Sequence, residues 1–324
     1  MSLMARVAAW ASVGLLAFAC TAQGQTMQGQ VLFPVELVPP PLDLAMQVRA
    51  PESIYAPPEA MAEEQEINAG GVNFRLDAMF FSDYIFRGID RSESSGTEDS
   101  GNMEIEGQMR FELGKLPDLF MGVFTNINDS DPISRFQEIR PYFGLELTAR
   151  PIIFTVGNTF YIYPDRDQFN TAEVFARIKL DDSYFFRTDE PVFSPYVLGA
   201  WDYDKYDGFY IEAGVRHDFK LEELPLTISP MARVAFVLNN AQFAKPVGPV
   251  PDPSFDFNDD GDDTGFQHYE VGMEISYGLN GLLKIPARYG QFDLTGYLFY
   301  TDGLENDLRA ATEIYGGVGV GFKY

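Results

Sequence analysis

Residues 72–92 read "VNFRLDAMFFSDYIFRGIDRS", and the fold turns on how their apolar and charged side chains alternate. Val72, Phe74, Leu76, Ala78, Phe80, Tyr84 and Phe86 share one parity, while Asn73, Arg75, Asp77, Asp83 and Arg87 share the other. Successive side chains of a β-strand point to opposite faces. A strand running through this stretch has one lipid-compatible face and one polar face, which suits the wall of a membrane barrel better than a soluble core. Beyond Gly88 the pattern breaks into a polar tract rich in Ser and Gly.

The same signature recurs along the chain. Met103, Ile105, Met109 and Phe111 alternate with Glu104, Glu106, Gln108, Arg110 and Glu112. Ile139, Phe143, Leu145 and Leu147 alternate with Glu138, Arg140 and Glu146, and Val174, Ala176 and Ile178 with Glu173, Arg177 and Lys179. Further on, Phe209, Ile211 and Val215 alternate with Glu212, Arg216 and Asp218, and Val271, Met273 and Ile275 with His268, Glu270 and Glu274. The last run ends the chain, with Ile314, Val318, Val320, Phe322 and Tyr324 set against glycines and Lys323. Weaker strand candidates lie near 119–127, 152–163, 195–203, 226–237 and 292–300. Together they predict an all-β fold, an antiparallel barrel of about twelve strands, each long enough for a tilted bilayer crossing.

The connections support this order. "GKLPDL", "ARP" and "KLEELPLT" are short, whereas "GIDRSESSGTEDSGN", "NINDSDPIS" and "KPVGPVPDPSFDFNDDGDDTG" are long and polar. Short periplasmic turns and longer extracellular loops are the outer-membrane pattern. Two connections on the short side, near 181–194 and "GLNGLLKIPARYG", are long and break it.

Ahead of the strands lie two segments of another kind. Residues 1–24 combine Arg6, an apolar run and a small-residue cleavage site, and read as a signal peptide. Cys20, the one cysteine, raises lipidation as a lesser reading; without it the exported chain has no thiol chemistry. Residues 25–70 are acidic and proline-rich, and read as a disordered periplasmic leader. The barrel is assigned to 71–324. The net charge of −25 argues against nucleic-acid binding, which wants a basic face. No apolar run is long enough for a transmembrane helix, so a spanning exported chain must be a closed barrel.

On this parity the barrel interior receives Glu104, Glu106, Glu112, Glu138, Glu146, Glu173, Glu212, Asp218, Glu270 and Glu274, with Arg110, Arg140, Arg177, Lys179 and Arg216 among them. These residues read either as a charge network that fills the barrel or as a lining that sets permeant selectivity. In "DFNDDGDD", Asp256, Asn258 and Asp260 before Gly261, with the Asp262 carbonyl to follow, match the opening of a calcium loop. The twelfth position is Gln267 instead of a bidentate Glu, so weak calcium binding or a solvated loop tip is expected. His217 and His268 have no nucleophile motif beside them, and no enzymatic activity is expected.

The segment "FSDYIFRGIDRS", at the end of the first strand, resembles the one that opens TorF-like porins, with Ser82, Asp83, Tyr84, Phe86, Arg87 and Gly88 at the matching places. The final "YGGVGVGFKY" is similar to the last strand of Gram-negative outer-membrane proteins, whose terminal aromatic belongs to the insertion signal. These resemblances imply an outer-membrane barrel of channel function, delivered to the barrel-assembly machinery through its C-terminal strand, and carry over no catalytic residue. The reading is a narrow, modestly cation-preferring channel for small solutes in the Gram-negative outer membrane. Its alternative is a closed structural or adhesive barrel displaying a calcium-binding loop.

Overall fold

The computed structural model describes residues 71–91, 101–128, 137–164, 167–221, 224–244 and 264–324. The signal segment, the proline-rich leader and Asp256, Asn258, Asp260 and Asp262 lie outside them. The strands are β1 (Val72–Phe81), β2 (Ile85–Phe86), β3 (Ile89–Asp90), β4 (Asn102–Phe111), β5 (Asp118–Asn128), β6 (Glu138–Ala149), β7 (Ile152–Tyr161), β8 (Thr171–Leu180), β9 (Tyr196–Asp202), β10 (Phe209–Arg216), β11 (Phe219–Leu221), β12 (Leu226–Leu238), β13 (Gly265–Gly278), β14 (Gln291–Gly303) and β15 (Glu313–Lys323).

Each wall strand pairs antiparallel with its neighbours in sequence, and β1 pairs with β15, so that the sheet closes. Strands β10 and β11 both pair with β12 and form one wall strand, interrupted at His217 and Asp218. Counted this way, the wall has the twelve strands that the alternation predicts. Closure leaves no edge with unpaired backbone groups, which is the condition for crossing a bilayer with strands. The outer face carries an apolar belt: Phe80, Phe143, Ile178, Val271, Leu298 and Val318 are all exposed, Val318 to 57%. Tyr324 extends the seam by exchanging backbone hydrogen bonds with Phe74 (2.8 and 2.6 Å).

The abundance of glycine and aromatics has a packing explanation. Several wall glycines leave the space that a neighbouring ring fills. A Cβ on Gly144 would lie 2.3 Å from the Phe120 ring, and one on Gly272 would lie 2.0 Å from that of Phe299.

Strand β1 departs from the sequence reading. It stops at Phe81, so Tyr84 and Phe86 do not continue its lipid face; both are buried inside the barrel. Ser82 holds the seam one residue further, its N–H donating to Gly316 O (2.9 Å) and its Oγ accepting from Gly316 N (3.1 Å). The chain then leaves the wall and turns into the lumen as the hairpin β2–β3, in which Phe86 pairs with Ile89. The central residues of its two-residue turn, Arg87 and Gly88, have φ of 49° and 73°. Positive φ at both central positions is the primed turn that matches hairpin twist.

The two long connections at the end where the barrel begins and finishes hold short helices, Ser183–Phe186 and Leu279–Leu283. The irregular connection lengths are therefore real, and the strand count is unaffected. Tyr184, Phe185, Phe186 and Phe193 are exposed in the first, as are Leu282 and Leu283 in the second.

Candidate functional site: the lumen and its hairpin

From the loop end inward, the lumen is filled by a hydrophobic core. Tyr84, Phe86 and Ile89 of the hairpin pack with Phe120, Phe124, Tyr161, Phe175, Leu198 and Tyr210 of the wall. Phe243 and Leu308, from two loop-end connections, complete it. Those connections are tied together by Arg309 N–H donating to Phe243 O (2.7 Å), and to the hairpin by Ala311 N–H donating to Gly88 O (2.7 Å). Gly88 lies against the imidazole of His268, so close that a Cβ there would be 2.5 Å from Cγ.

Ion pairs fasten the hairpin to the wall. Arg87 Nη2 donates to both oxygens of Glu173 (3.0 and 2.9 Å). Arg91 Nη1 donates to Glu138 (2.7 Å) and to the Tyr163 hydroxyl (3.0 Å), with its guanidinium carbon 3.4 Å from the Phe86 ring centroid. The Tyr84 hydroxyl donates to Glu138 (2.9 Å) and accepts from Arg140 (2.9 Å). Asp83 is buried, and Ser82 Oγ donates to it (2.6 Å). The resemblance motif is thus the lumenal hairpin and its attachment, a placement that the parity reading missed.

The remaining charges are brought together in pairs. Arg110 bonds Glu146 and lies 3.2 Å from Asp118. Arg140 Nε lies 2.7 Å from Glu138, and Arg216 bridges Asp218 (2.7 Å) and Glu274 (3.2 Å). Glu212 accepts from the hydroxyls of Tyr196 (2.6 Å) and Tyr210 (2.7 Å). Glu270 accepts from the Tyr315 hydroxyl (2.7 Å) and pairs with Arg233 (2.7 Å), which also reaches Glu212 at 3.8 Å. Arg177 stacks over the Tyr196 ring at 4.7 Å. Glu106 accepts from the Tyr142 hydroxyl (2.5 Å). Glu104 is buried near Glu106 and Glu138, and its carboxylate accepts no hydrogen bond among the described residues.

One placement differs from the sequence reading, and the two histidines take theirs from the structure. Glu112 lies just past the end of β4, exposed, accepting from Asn73 Nδ2 (2.8 Å), and does not belong to the interior. His268 is fully buried near the loop end of β13: a β-bulge opposite Ala235 and Phe236 turns both Gln267 and His268 inward. His217 faces the Val192 carbonyl and the Phe219 ring (4.1 Å) at the break between β10 and β11. Sequence reasoning also passed over Arg233, because β12 contains Pro230 and Met231 and alternates weakly.

Closed sheet, apolar outer belt and charged interior meet in one arrangement. The chain is a twelve-stranded transmembrane β-barrel of the outer-membrane type. No family model and no curated protein matches it. Among solved structures it is similar to an outer membrane channel from Pseudomonas putida F1, with 10% identity over 78% of this chain and 96% of that one and a TM-score of 0.45. It is also similar to LpxR from Salmonella typhimurium, with 12% identity, 76% and 99% coverage and a TM-score of 0.41. A FadL homologue from Pseudomonas aeruginosa follows, with 8% identity, 79% and 90% coverage and a TM-score of 0.37.

Proposed function

We propose that this chain is an outer-membrane channel of the TorF-like porin type, passing small solutes by diffusion, and that β2–β3 closes its loop end in the conformation described. The observation that carries this reading is the independence of the plug. Strands β2 and β3 pair only with each other among the described strands, and the twelve wall strands close without them. Withdrawal of the hairpin breaks no ladder bond of the wall. It would leave a lumen lined by Glu104, Glu106, Arg110, Glu138, Arg140, Glu146, Glu173, Arg177, Glu212, Arg216, Glu270 and Glu274. A modest cation preference follows from that lining, because carboxylates outnumber arginines in it. We place the barrel in the Gram-negative outer membrane, exported by residues 1–24 and handed to the assembly machinery through β15.

The packed plug itself favours a second reading, a permanently closed structural or adhesive barrel whose acidic loop, Asp256, Asn258, Asp260 and Asp262, binds calcium. Planar-bilayer recording of the refolded full chain beside Tyr84→Ser/Phe86→Ser separates the two. The channel reading expects small or rare openings in the wild type and larger or more frequent ones in the variant. Folded proteins that both stay silent would leave the closed barrel standing. Calcium-dependent protection of the acidic loop from protease, lost in Asp260→Asn, is what the closed barrel's calcium site expects.

A further inference from the structure

Glu173 differs from its lumen neighbours in where its cation comes from. Glu138, Glu146, Glu212, Glu270 and Glu274 each face an arginine of the wall: Arg140, Arg110, Arg233, Arg233 and Arg216 respectively. The Glu173 carboxylate, 2% exposed, takes its hydrogen bonds from Arg87 alone among the described residues, and Arg140 acts on it only through space. Directly across the strand pair stands a second carboxylate, Asp202. Asp202 is already engaged by the Thr171 hydroxyl (2.9 and 2.7 Å) and by the backbone N–H groups of Lys205 and Tyr206 (both 3.0 Å). Like charges facing each other across a ladder destabilise it, so this position calls for a cation.

The pocket also has a roof. The Arg87 guanidinium carbon lies 4.0 Å from the centroid of the Tyr210 ring, and Tyr210 is held in place by its hydrogen bond to Glu212 (2.7 Å). A planar cation between a carboxylate and an aromatic face is bound by charge-assisted hydrogen bonds and by the ring quadrupole together. The group that fills the pocket stands on the removable hairpin, at φ 49°, a left-handed conformation that residues other than glycine adopt at a cost.

We infer that Glu173, Asp202 and Tyr210 form a recognition site for the guanidinium group of a small solute, and that Arg87 occupies it from within the same chain. Resting on the channel reading, a solute of this class competes with Arg87, loosens the hairpin and enters the lumen it closes. Chemical rescue tests the site. Arg87→Ala should lose its folded gel migration at a lower temperature than the wild type. Millimolar methylguanidinium should recover several degrees of that loss, where sodium chloride at equal ionic strength does not. Arg87→Ala/Glu173→Gln should show no such recovery. If Arg87→Ala does not refold unaided, methylguanidinium in the refolding buffer should restore its yield, and again not that of the double variant. A methylguanidinium effect no larger than that of salt, or equal in both variants, would overturn the inference. Conductance is read separately. An Arg87→Ala channel that conducts but ignores methylguanidinium removes the site and keeps the channel. A rescued barrel that never conducts removes the channel and keeps the site.

Discussion

Gly88 shows how one backbone position can fix the closed state. Its φ of 73° and the imidazole of His268 in the space a Cβ would take both require glycine. Gly88→Ala should destabilise the hairpin by about 1 kcal/mol from conformation alone, and by more from the collision. His268→Ala removes the obstacle but not the conformational cost. The double variant should therefore recover part of the loss, and a thermal double-mutant cycle on the folded migration would show strictly additive effects if the two groups do not touch. On the outer face, Val318 stands mid-strand, exposed to the lipid side. Val318→Arg should cost about 2–4 kcal/mol in a bilayer, the value for a cation at the midplane. Denaturant titration of the folded barrel in lipid vesicles measures it, and a neutral result would contradict the assignment of this face.

At the scale of elements, the wall was legible and the plug was not. Charges confined to one parity of β4, β6, β8, β10 and β13 have one physical reading once the other face is apolar, and the weaker candidates completed the count. The alternation already falters in "SDYIF", where Ser82 stands on the apolar parity and Ile85 on the polar one, but two exceptions do not distinguish an imperfect strand from one that ends; the chain leaves the wall through a change of partner at Ser82, which periodicity does not register. The one local signal was Arg87-Gly88 between Phe86 and Ile89, a turn dipeptide inside an apolar run. The bulge at Gln267 and His268 was hidden for the same reason, since an extra residue shifts register without changing composition. The helix Ser183–Phe186 carries exposed Tyr184, Phe185 and Phe186 at the end where the barrel starts and finishes. Aromatic rings favour the interface between headgroups and acyl chains. Phe185→Asp/Phe186→Asp should slow insertion into preformed vesicles while leaving the fold in detergent intact; equal insertion rates would assign these rings another role.

For the whole molecule, charge balance depends on the hairpin. The inner-face assignment from sequence set ten carboxylates against five cations. The structure removes Glu112 and adds Arg75, Arg87, Arg91, Arg233 and Lys323, against Asp77, Asp118, Asp202 and Asp293. With Asp83 and Asp90 of the hairpin counted as well, the closed lumen keeps the excess of acids over bases that the parity reading implied. Arg87 and Arg91 belong to the hairpin together with Asp83 and Asp90, so its withdrawal removes as many acids as bases and changes the local balance beside the wall carboxylates instead of the net charge. On the channel reading, opening does more than clear the path: it strips positive charge from beside Glu173 and Glu138 and leaves those two carboxylates facing it. Selectivity should follow the state of the plug. Reversal potentials across a salt gradient should show a stronger cation preference in Tyr84→Ser/Phe86→Ser, where the hairpin is loosened, than in the wild type. Glu104→Gln/Glu106→Gln in that background should weaken the preference again, because these two lining carboxylates contribute to its acid excess. The differences should shrink at high salt, as screening shortens the reach of the lining. An anion preference in the loosened variant would refute the lining and the charge argument together.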